Sequence, residues 1–422
     1  MDKTTRRMDN PGSWLRRLFN HAVQAVQPRQ CLPSHLPARP VGRTLVVGAG
    51  KAAAAMAQAV EAHWPGQLAG LVVTRYGHGA PCRQIEVLEA AHPVPDGLSE
   101  QAARRMLAAV ASLGEDDLLL ALISGGGSSL LCLPAPGITL ADKQAVARAL
   151  LRSGAPIAAI NTVRSQLSAI KGGRLAAAAA PARVVSLVIS DIPDNNPALV
   201  ASGPTIASRS TRAEALAIVE RYAIELPERV RLLLEQPTAA REPLPQAARQ
   251  SVTVIATAAD ALAAAQHYAA QDGLRVQLLG DALEGEARAL GRAHARQALQ
   301  LQAASRRPQL LLSGGETSVT LRASGRGGRN TEYLLGLAQA LAGAPGIFAL
   351  AADTDGIDGS EDNAGALLYP DTLARARAAG VDAAACLANN NAYDLFAATG
   401  DLLMTGPTRT NVNDFRAILI NP

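Results

Sequence analysis

An apolar run ends in glycines and serines at Leu118-Leu-Leu-Ala-Leu-Ile-Ser-Gly-Gly-Gly-Ser-Ser129. A short run of this kind, bounded by glycines, is typical of a strand buried inside a parallel sheet. Consecutive glycines directly after such a strand let several backbone N–H groups face one anion, because no Cβ stands in the way. The stretch therefore predicts an α/β fold with an anion-binding loop at a strand end.

Two other apolar strands end in similar loops. Ser-Gly-Gly recurs in Leu310-Leu-Leu-Ser-Gly-Gly-Glu-Thr-Ser318, and a lysine follows the glycines in Val46-Val-Gly-Ala-Gly-Lys51. A lysine beside a glycine loop is suited to phosphate oxygens. Together the three loops predict an enzyme that holds a polyphosphate.

Short β-rich runs alternate with helical patterns along most of the 422 residues, which favours two α/β domains with mainly parallel sheets. Strands are predicted at residues 44–47, 70–73, 86–89, 118–123 and 183–189, and again at 252–256, 275–279 and 309–312. The second run is predicted to open a second domain. A proline-rich stretch at residues 236–246 places the boundary between a Rossmann-like domain, 1–240, and a second α/β domain, 241–422. An active-site cleft is expected between them.

Composition excludes several classes of protein. The formal charge is +4 with basic residues scattered along the chain, so no nucleic-acid partner is expected. There is no apolar segment of about 20 residues and no signal peptide, so the sequence predicts a cytoplasmic protein without a membrane partner. The four cysteines lie far apart, which indicates neither a zinc cluster nor a disulfide framework. No Ser/His/Asp arrangement stands out, which disfavours a hydrolase.

The loop around Lys51 has three interpretations. Gly48-Ala-Gly-Lys-Ala-Ala follows the dinucleotide-binding pattern, but the next predicted strand ends Val72-Val-Thr-Arg-Tyr-Gly77, without the acid that would hold the ribose. We therefore favour binding of phosphate or carboxylate by Lys51 and the following helix start. A nicotinamide site and a plain tight turn remain the alternatives.

Several further polar residues are candidates for substrate or metal contacts. Asn161, Arg164, Ser168 and Lys171 recur at helical steps and are expected to share one face, which is either solvated or directed at a ligand. Lysine is scarce in this sequence, since only four of its forty basic residues are lysines (Lys3, Lys51, Lys143, Lys171). One of them, Lys171, directly precedes two glycines, which favours a face directed at a ligand over a solvated one.

Acidic residues at strand ends are candidates for Mg²⁺. Asp191 follows the predicted strand 183–189, and Asp355 follows an apolar run in a segment that lacks the spacing of an EF-hand. Magnesium bound to nucleotide phosphates takes only one or two carboxylates. Arg329 and Asn330, after the second Ser-Gly-Gly loop, stand at a predicted helix start where arginine can bind phosphate or carboxylate in two places.

The ordered set of motifs resembles the bacterial glycerate 2-kinase family, whose members carry a leucine-rich carboxyl-terminal MOFRL domain and often the provisional label hydroxypyruvate reductase. The resemblance rests on Gly48-Ala-Gly-Lys51, Ser124-Gly-Gly-Gly-Ser-Ser129, Lys171-Gly-Gly, Ser190-Asp191, Ser202-Gly-Pro-Thr205, Ser313-Gly-Gly-Glu-Thr317, Gly327-Gly-Arg-Asn330 and Thr354-Asp-Gly-Ile-Asp-Gly359. One departure is Thr331-Glu332, where the family has Gln-Glu. The resemblance implies phosphorylation of D-glycerate to 2-phosphoglycerate with ATP and Mg²⁺, and allows a homodimer.

These observations lead to one assignment of roles, in which Lys51 and Arg329 are catalytic and neutralise charge on the phosphoryl group and the glycerate carboxylate. The ATP phosphates are expected to be bound by Gly48, Gly50, Ser124, Gly125, Gly126, Gly127, Ser128, Ser129 and Lys171. The substrate is expected to be bound by Asn161, Arg164, Ser313, Glu316 and Asn330. Mg²⁺ is expected to be bound by Asp191 or Asp355. An NAD(P)H-dependent hydroxypyruvate reductase and a non-catalytic sugar-acid-binding protein remain the alternatives.

Overall fold

The computed structural model describes residues 10–237 and 249–422, which form two compact units. The first unit is Pro28–Ile255; the second is Ala256–Pro422 together with the amino-terminal residues up to Gln27. The domain boundary that the sequence places at residues 240 and 241, and most of the proline-rich stretch around it, lie outside the described residues.

The first unit is built on a six-stranded sheet in the order β3-β2-β1-β4-β5-β6. Its strands are β1 Thr44–Ala49, β2 Ala69–Arg75, β3 Glu86–Ala90, β4 Leu118–Ser124, β5 Arg183–Ile189 and β6 Gln250–Ala256. The pairs from β3 to β5 are all parallel, so the carboxyl ends of these strands lie along one edge. Both central strands, β1 and β4, are buried along their whole length because helices cover the two faces.

The strand β6 is placed differently from the sequence prediction. Residues 252–256 were expected to open the second sheet, but β6 extends the first sheet beside β5. Its residues before Ile255 are partly or fully exposed, as on an edge strand. A local pattern shows that a strand exists but not which sheet it joins, which explains the difference.

Helices of the first unit start at recognisable caps. Asp96, Thr139 and Thr211 each accept a hydrogen bond from the third residue of the helix that follows, whose own side chain bonds back. The helices are Pro28–Cys31, Ala53–His63, Gly97–Val110, Gly127–Leu130, Leu140–Arg152, Ile157–Gln166, Arg174–Ala178, Arg212–Arg221 and Glu228–Glu235, with 3₁₀ turns at Pro33–His35 and Val200–Ser202. One apolar core lies against the sheet, and a second is formed among the helices between residues 140 and 235.

The second unit has a mixed sheet in the order β11-β10-β9-β12-β8-β7. Its strands are β7 Arg275–Gly280, β8 Gln309–Gly315, β9 Ile347–Asp353, β10 Gly365–Leu368, β11 Leu402–Leu403 and β12 Asp414–Ile420. β7 and β8 are parallel, whereas β12 runs antiparallel between β8 and β9, and β10 is antiparallel to β9 and β11. The prediction of an α/β chain with two sheets and mainly parallel strands is confirmed, and β10 and β12 are the strands that reverse direction.

The helix Pro11–Ala25 belongs to the second unit, whereas the sequence assigned these residues to the amino-terminal domain. The indole of Trp14 donates to Asp272 at 2.8 Å, and the rings of Phe19 and Phe415 meet edge to face at 5.7 Å. The buried side of the helix carries Trp14, Leu15, Leu18 and Phe19, so its apolar surface is covered by residues more than two hundred positions away.

Among the described residues of the second unit there are six other helices: Ala258–Gln271, Ala287–Ala304, Arg329–Leu341, Thr372–Ala378, Ala383–Ala388 and Ala392–Thr399. The helix Arg329–Leu341 is buried on nearly all sides, and its first residues therefore need fixed partners. In the part of the chain that the structure describes, no helix combines the length and the apolar character needed to cross a bilayer.

Candidate active site

The loop after β1 uses its own N–H groups to bind neighbouring strands. The N–H of Gly50 donates to the carbonyl of Val73 at 3.1 Å, that of Lys51 to Gly125 at 2.8 Å, and that of Ala52 to the hydroxyl oxygen of Ser124 at 3.0 Å. These three N–H groups, which were expected to be available for phosphate, therefore form hydrogen bonds within the protein. The hydroxyl of Ser124, which is fully buried, is likewise used inside the protein.

The glycines of this loop have a packing role. Gly48 is a ladder residue between β2 and β4, and a Cβ there would come within 2.6 Å of the carbonyl oxygen of Leu122. Gly50 has a φ of +135°, and a Cβ there would lie 2.1 Å from the Ser124 hydroxyl. In the structure Gly48, Gly50 and Ser124 bring the two loops together, and their contact with phosphate stays a prediction.

Replacing Gly50 with alanine should lower the free energy of unfolding by about 3 kcal/mol, because strain at positive φ adds to overpacking against Ser124. Urea unfolding of the variant measures this loss. Gly97→Ala is the control, since a Cβ at Gly97, at a helix start, meets nothing within 4 Å. Equal stabilities of the two variants would contradict the packing role.

The second loop leaves N–H groups available. Gly126 has a φ of +80° and precedes the short helix Gly127–Leu130. No hydrogen bond found among residues 10–237 and 249–422 uses the N–H of Gly126, Gly127 or Ser128. A Cβ on Gly126 would lie 3.2 Å from both Cγ of Lys51 and Cδ2 of His92, so the side chain of Lys51 runs alongside this loop. The lysine and three open N–H groups thus occur together, as phosphate binding requires.

A chain of hydroxyl and amide groups supports the loop from behind. The hydroxyls of Ser128 and Ser202 are 2.8 Å apart, the Ser202 hydroxyl donates to Oδ1 of Asn161 at 2.8 Å, and Nδ2 of Asn161 donates to the carbonyl of Leu199 at 3.1 Å. Asn161 is 4% exposed. Asn161 therefore helps to position Ser128 through Ser202, and its contact with substrate stays a prediction.

Ser202 lies in a strained segment. Ala201, Ser202 and Gly203 all have positive φ, and strain of this kind is often found at functional sites. The segment is held by the stretch after Lys171, since the N–H groups of Gly172 and Gly173 donate to the carbonyls of Ser202 and Gly203. The sequence singled out Ser202-Gly-Pro-Thr205 without a role for it, and the structure supplies one.

Three basic side chains and the glycine loop line one cavity of the first unit. Lys143, Arg164 and Lys171 face it, together with Ser128, Ser129 and Cys132. Burial lowers the pKa of Lys143 and of Arg164, and burial followed by repulsion from Lys143 lowers the pKa of Lys171 well below its ordinary value. Arg164 and Lys171 thus face one cavity, but the predicted shared helix face is wrong, because the helix Ile157–Gln166 ends before Ser168 and Lys171. Lys143 was not singled out as a site residue, although the scarcity of lysine pointed to it.

In the second unit, Arg329 begins the helix Arg329–Leu341 and is held by three carboxylates. Its Nε donates to Asp414 at 2.7 Å, Nη1 to Glu316 at 2.8 Å and Nη2 to Asp353 at 2.7 Å. Burial alone would lower the pKa of this guanidinium, but the carboxylates outweigh it and raise the pKa well above its ordinary value. Of the five N–H donors that a guanidinium has, two remain for a ligand.

Strand ends bring these carboxylates together. Asp414, the first residue of β12, pairs in register with Gly315 at the end of β8 and with Asp353 at the end of β9. The side chain of Asp414 is fully buried and also binds Arg416. Asp414 was not predicted, because only the insertion of β12 between β8 and β9 brings it to the site.

Two residues predicted to bind substrate have other positions. Ser313 is 2% exposed inside the β8 ladder, since β8 continues three residues beyond its predicted end. Asn330 is fully buried and donates through Nδ2 to Asp414 at 2.8 Å, and its N–H donates to Asp358 at 2.9 Å. The hydroxyl of Thr331, the departure from the family pattern, also donates to Asp358. Ser313 and Asn330 therefore support Arg329 and its helix, whereas Glu316 contacts Arg329 directly and is half exposed.

The metal candidates Asp191 and Asp355 are in different units, Asp191 just after β5 and the fully buried Asp355 after β9. Among the described residues there is no group of three His, Cys, Asp or Glu side chains arranged to hold a metal. Each aspartate alone still fits Mg²⁺ carried by a nucleotide, which needs one or two protein carboxylates.

A buried histidine connects the second unit's core to the site. Nδ1 of His294 is 2.8 Å from the hydroxyl of Tyr333, whose ring faces the guanidinium of Arg416 at 5.3 Å. Burial, with repulsion from Arg416, lowers the pKa of His294 from 6.5 to about 4.

This histidine makes the stability of the protein sensitive to acid. Because the native state resists protonation while the unfolded chain accepts it at 6.5, stability contributed by neutral His294 is lost as the pH falls from 6.5 toward 4. The loss near pH 4 should reach about 3 kcal/mol. Urea unfolding at pH 7 and pH 4 measures it; His294→Gln, which does not titrate, should lose less, and an equal loss would contradict the assignment.

This chain is similar to known proteins along almost its whole length. The family described as "Domain of unknown function (DUF4147)" matches residues 14–235, and the MOFRL family matches residues 309–414. A protein of Agrobacterium vitis with the provisional name hydroxypyruvate reductase is 55% identical over 96% of this chain and 94% of its own. The D-glycerate 2-kinase of Thermotoga maritima is 39% identical over 94% and 95% of the two chains. A crystal structure of glycerate kinase from the same organism has a TM-score of 0.84 at 38% identity and covers 96% of this chain and 98% of that one.

Proposed function

Since the chain belongs to the glycerate kinase family of phosphotransferases, we propose that it transfers the γ-phosphoryl group of ATP to the 2-hydroxyl group of D-glycerate. The observation that supports this most directly is the glycine loop after β4. Three N–H groups, those of Gly126, Gly127 and Ser128, are without a partner in the described residues, and the side chain of Lys51 runs beside them.

Phosphoryl transfer depends mainly on positioning and on neutralising charge. In the proposal, the open N–H groups and Lys51 bind phosphate oxygens at the edge of the first sheet. The two remaining N–H donors of Arg329 neutralise charge on the phosphoryl group and the glycerate carboxylate. Asp353, Asp414 and Glu316 fix the orientation of its guanidinium. The cleft between the two domains, a cytoplasmic location and a homodimer stay predictions of the sequence.

Mg²⁺ is the proposed companion of ATP, with Asp191 or Asp355 as its protein ligand. When bound, the ion neutralises charge on the phosphates. The three carboxylates around Arg329 face two guanidinium groups, those of Arg329 and Arg416, so negative charge is in excess here and favours a cation. That charge balance supports the assignment of Asp355, two residues after Asp353.

A reductase is the second candidate, because the Agrobacterium vitis relative carries that provisional name. β2 ends at Arg75, and the acid that would hold a nicotinamide ribose is missing from that strand end. The loop after β1 also uses its N–H groups within the protein. Both observations favour the kinase.

One assay with two arms tests the proposal. Purified protein is expected to release ADP when it is given ATP, Mg²⁺ and D-glycerate, and to leave NADH and hydroxypyruvate unchanged. Phosphorus NMR of the product separates 2-phosphoglycerate from the 3-isomer. NADH oxidation without ADP release would establish the reductase. The absence of both reactions would favour a non-catalytic sugar-acid-binding protein.

A further inference from the structure

The cavity lined by Lys143, Arg164 and Lys171 holds more positive charge than the proposed ATP contacts explain. Nζ of Lys143 donates to the carbonyl of Leu167 at 3.0 Å, and Nζ of Lys171 to that of Ala201 at 3.2 Å. Within residues 10–237 and 249–422, no carboxylate forms an ion pair with any of the three. Carbonyl groups satisfy donors but do not neutralise charge.

Unpaired cations are costly in the interior of a protein. Lys171 is 1% exposed and Lys143 is 8% exposed, and burial lowers the pKa of both. The other groups that act on their charges are Cys132, Arg164, Arg174 and Glu100. A bound anion would offset the cost of holding these charges together, so the cavity is suited to an acid.

The remaining walls limit the kind of acid. Ser128, Ser129 and Cys132 form a polar side next to the cations, while Val146, Ala147, Leu150 and Leu167 form an apolar side. A triphosphate is charged along its whole length and would leave charged oxygens against the apolar side. The cavity has a volume of about 30 Å³, which is room for the carboxylate end of a small acid, with its first carbon atoms next to the apolar residues.

The cavity also adjoins the proposed reaction site. Pro93 and Ser128 line it. His92, the neighbour of Pro93, and the side chain of Lys51 both approach Gly126, the residue that precedes the short helix carrying Ser128. A ligand in the cavity is therefore near the loop proposed to bind the phosphate.

We propose that this cavity binds the carboxylate end of the phosphoryl acceptor, a small hydroxy acid, and that Lys143 is one of its binding residues. The inference deepens the proposed function and rests on it for the identity of the acceptor. It assigns Lys171 to the acceptor and leaves the N–H groups of Gly126 to Ser128 for ATP. Arg164 keeps its predicted role as a substrate-binding residue.

The test compares binding of each substrate alone. Calorimetry with D-glycerate, and separately with a non-hydrolysable ATP analogue, is carried out on the full chain and on Lys143→Met, which keeps side-chain length but removes the charge. We expect the Kd for D-glycerate to rise at least tenfold, about 1.4 kcal/mol, while the Kd for the ATP analogue stays unchanged. Arg148→Met is the matched control, because Arg148 is an exposed residue of the same helix.

A second variant keeps the inference testable if Lys143→Met folds poorly. Ala147→Leu fills the cavity without altering its charge and should weaken D-glycerate binding while sparing the ATP analogue. The inference is overturned if both variants bind D-glycerate as the full chain does, or if the ATP analogue loses affinity to the same extent. Loss of D-glycerate binding in a protein that never releases ADP would contradict the proposed kinase reaction but not the acid site.

Discussion

In the Lys51→Ala variant, ATP-dependent phosphorylation of D-glycerate is expected to fall about a thousandfold, since one cation facing the transferred phosphoryl group is lost. The side chain of Lys51 runs along Gly126, where the open N–H groups begin. The fold should be retained, because the bond that joins this loop to Gly125 comes from the backbone N–H of Lys51 and not from its side chain. Steady-state kinetics and thermal unfolding measure the two effects.

Lys51→Arg separates charge from shape. It keeps the positive charge but replaces a compact ammonium with a planar fork, so we expect partial activity, above that of Lys51→Ala and below that of the unchanged chain. Near-normal turnover in Lys51→Ala would contradict the catalytic role of Lys51.

Arg329→Lys should also lose about three orders of magnitude in turnover, because a lysine cannot bind Asp414, Glu316 and Asp353 in the geometry of the guanidinium. Alanine is less informative at this position. It would remove the ion pairs that Arg329 forms with the buried Asp353 and Asp414 and leave Asp414 paired with Arg416, at a cost of about 3–5 kcal/mol in stability. Lysine keeps the charge and allows the kinetics to be interpreted on folded protein.

Arg326→Lys is the matched control for Arg329→Lys. Arg326 lies three residues earlier, is half exposed, and pairs with Glu361 and Asp394 at the surface. Surface pairs of this kind contribute little to stability, and the carboxylate partners of Arg326 differ from those of Arg329, so turnover should stay the same. Equal losses at Arg326 and Arg329 would point to a general disturbance of this region and would defeat the assignment of Arg329.

The features that the sequence predicted correctly are those that depend on residues close together in the chain. The strand at residues 183–189 has its predicted bounds, and the glycines after β4 form a loop with open N–H groups, because apolar runs and glycines act through their nearest neighbours. The end of β8 was predicted too early for a local reason as well, since nothing in the pattern shows that the strand continues past Ser313 to Gly315.

The positions of the other site residues depend on contacts between parts of the chain that are far apart in sequence. Asp414 reaches Arg329 only because β12 joins β8 and β9, which are about 60 to 100 residues earlier in the chain. Lys143 reaches Lys171 only because the helix Leu140–Arg152 folds back over the segment that follows Ile157–Gln166. Asn161 could be recognised as polar and helical, but its role behind Ser128 depends on Ser202, which is 41 residues away.

The position of β12 in the middle of the second sheet has a consequence for biosynthesis. The six strands of the first sheet have all been made once residue 256 is added, so that sheet can be assembled early. The second sheet is divided until Ile420 is in place, because β12 joins β8 to β9 along seven residues on each side. The helix Pro11–Ala25 is translated long before Phe415, so its Phe19 cannot make its native ring contact until that residue has been added. The second sheet thus stays incomplete until β12 has been translated.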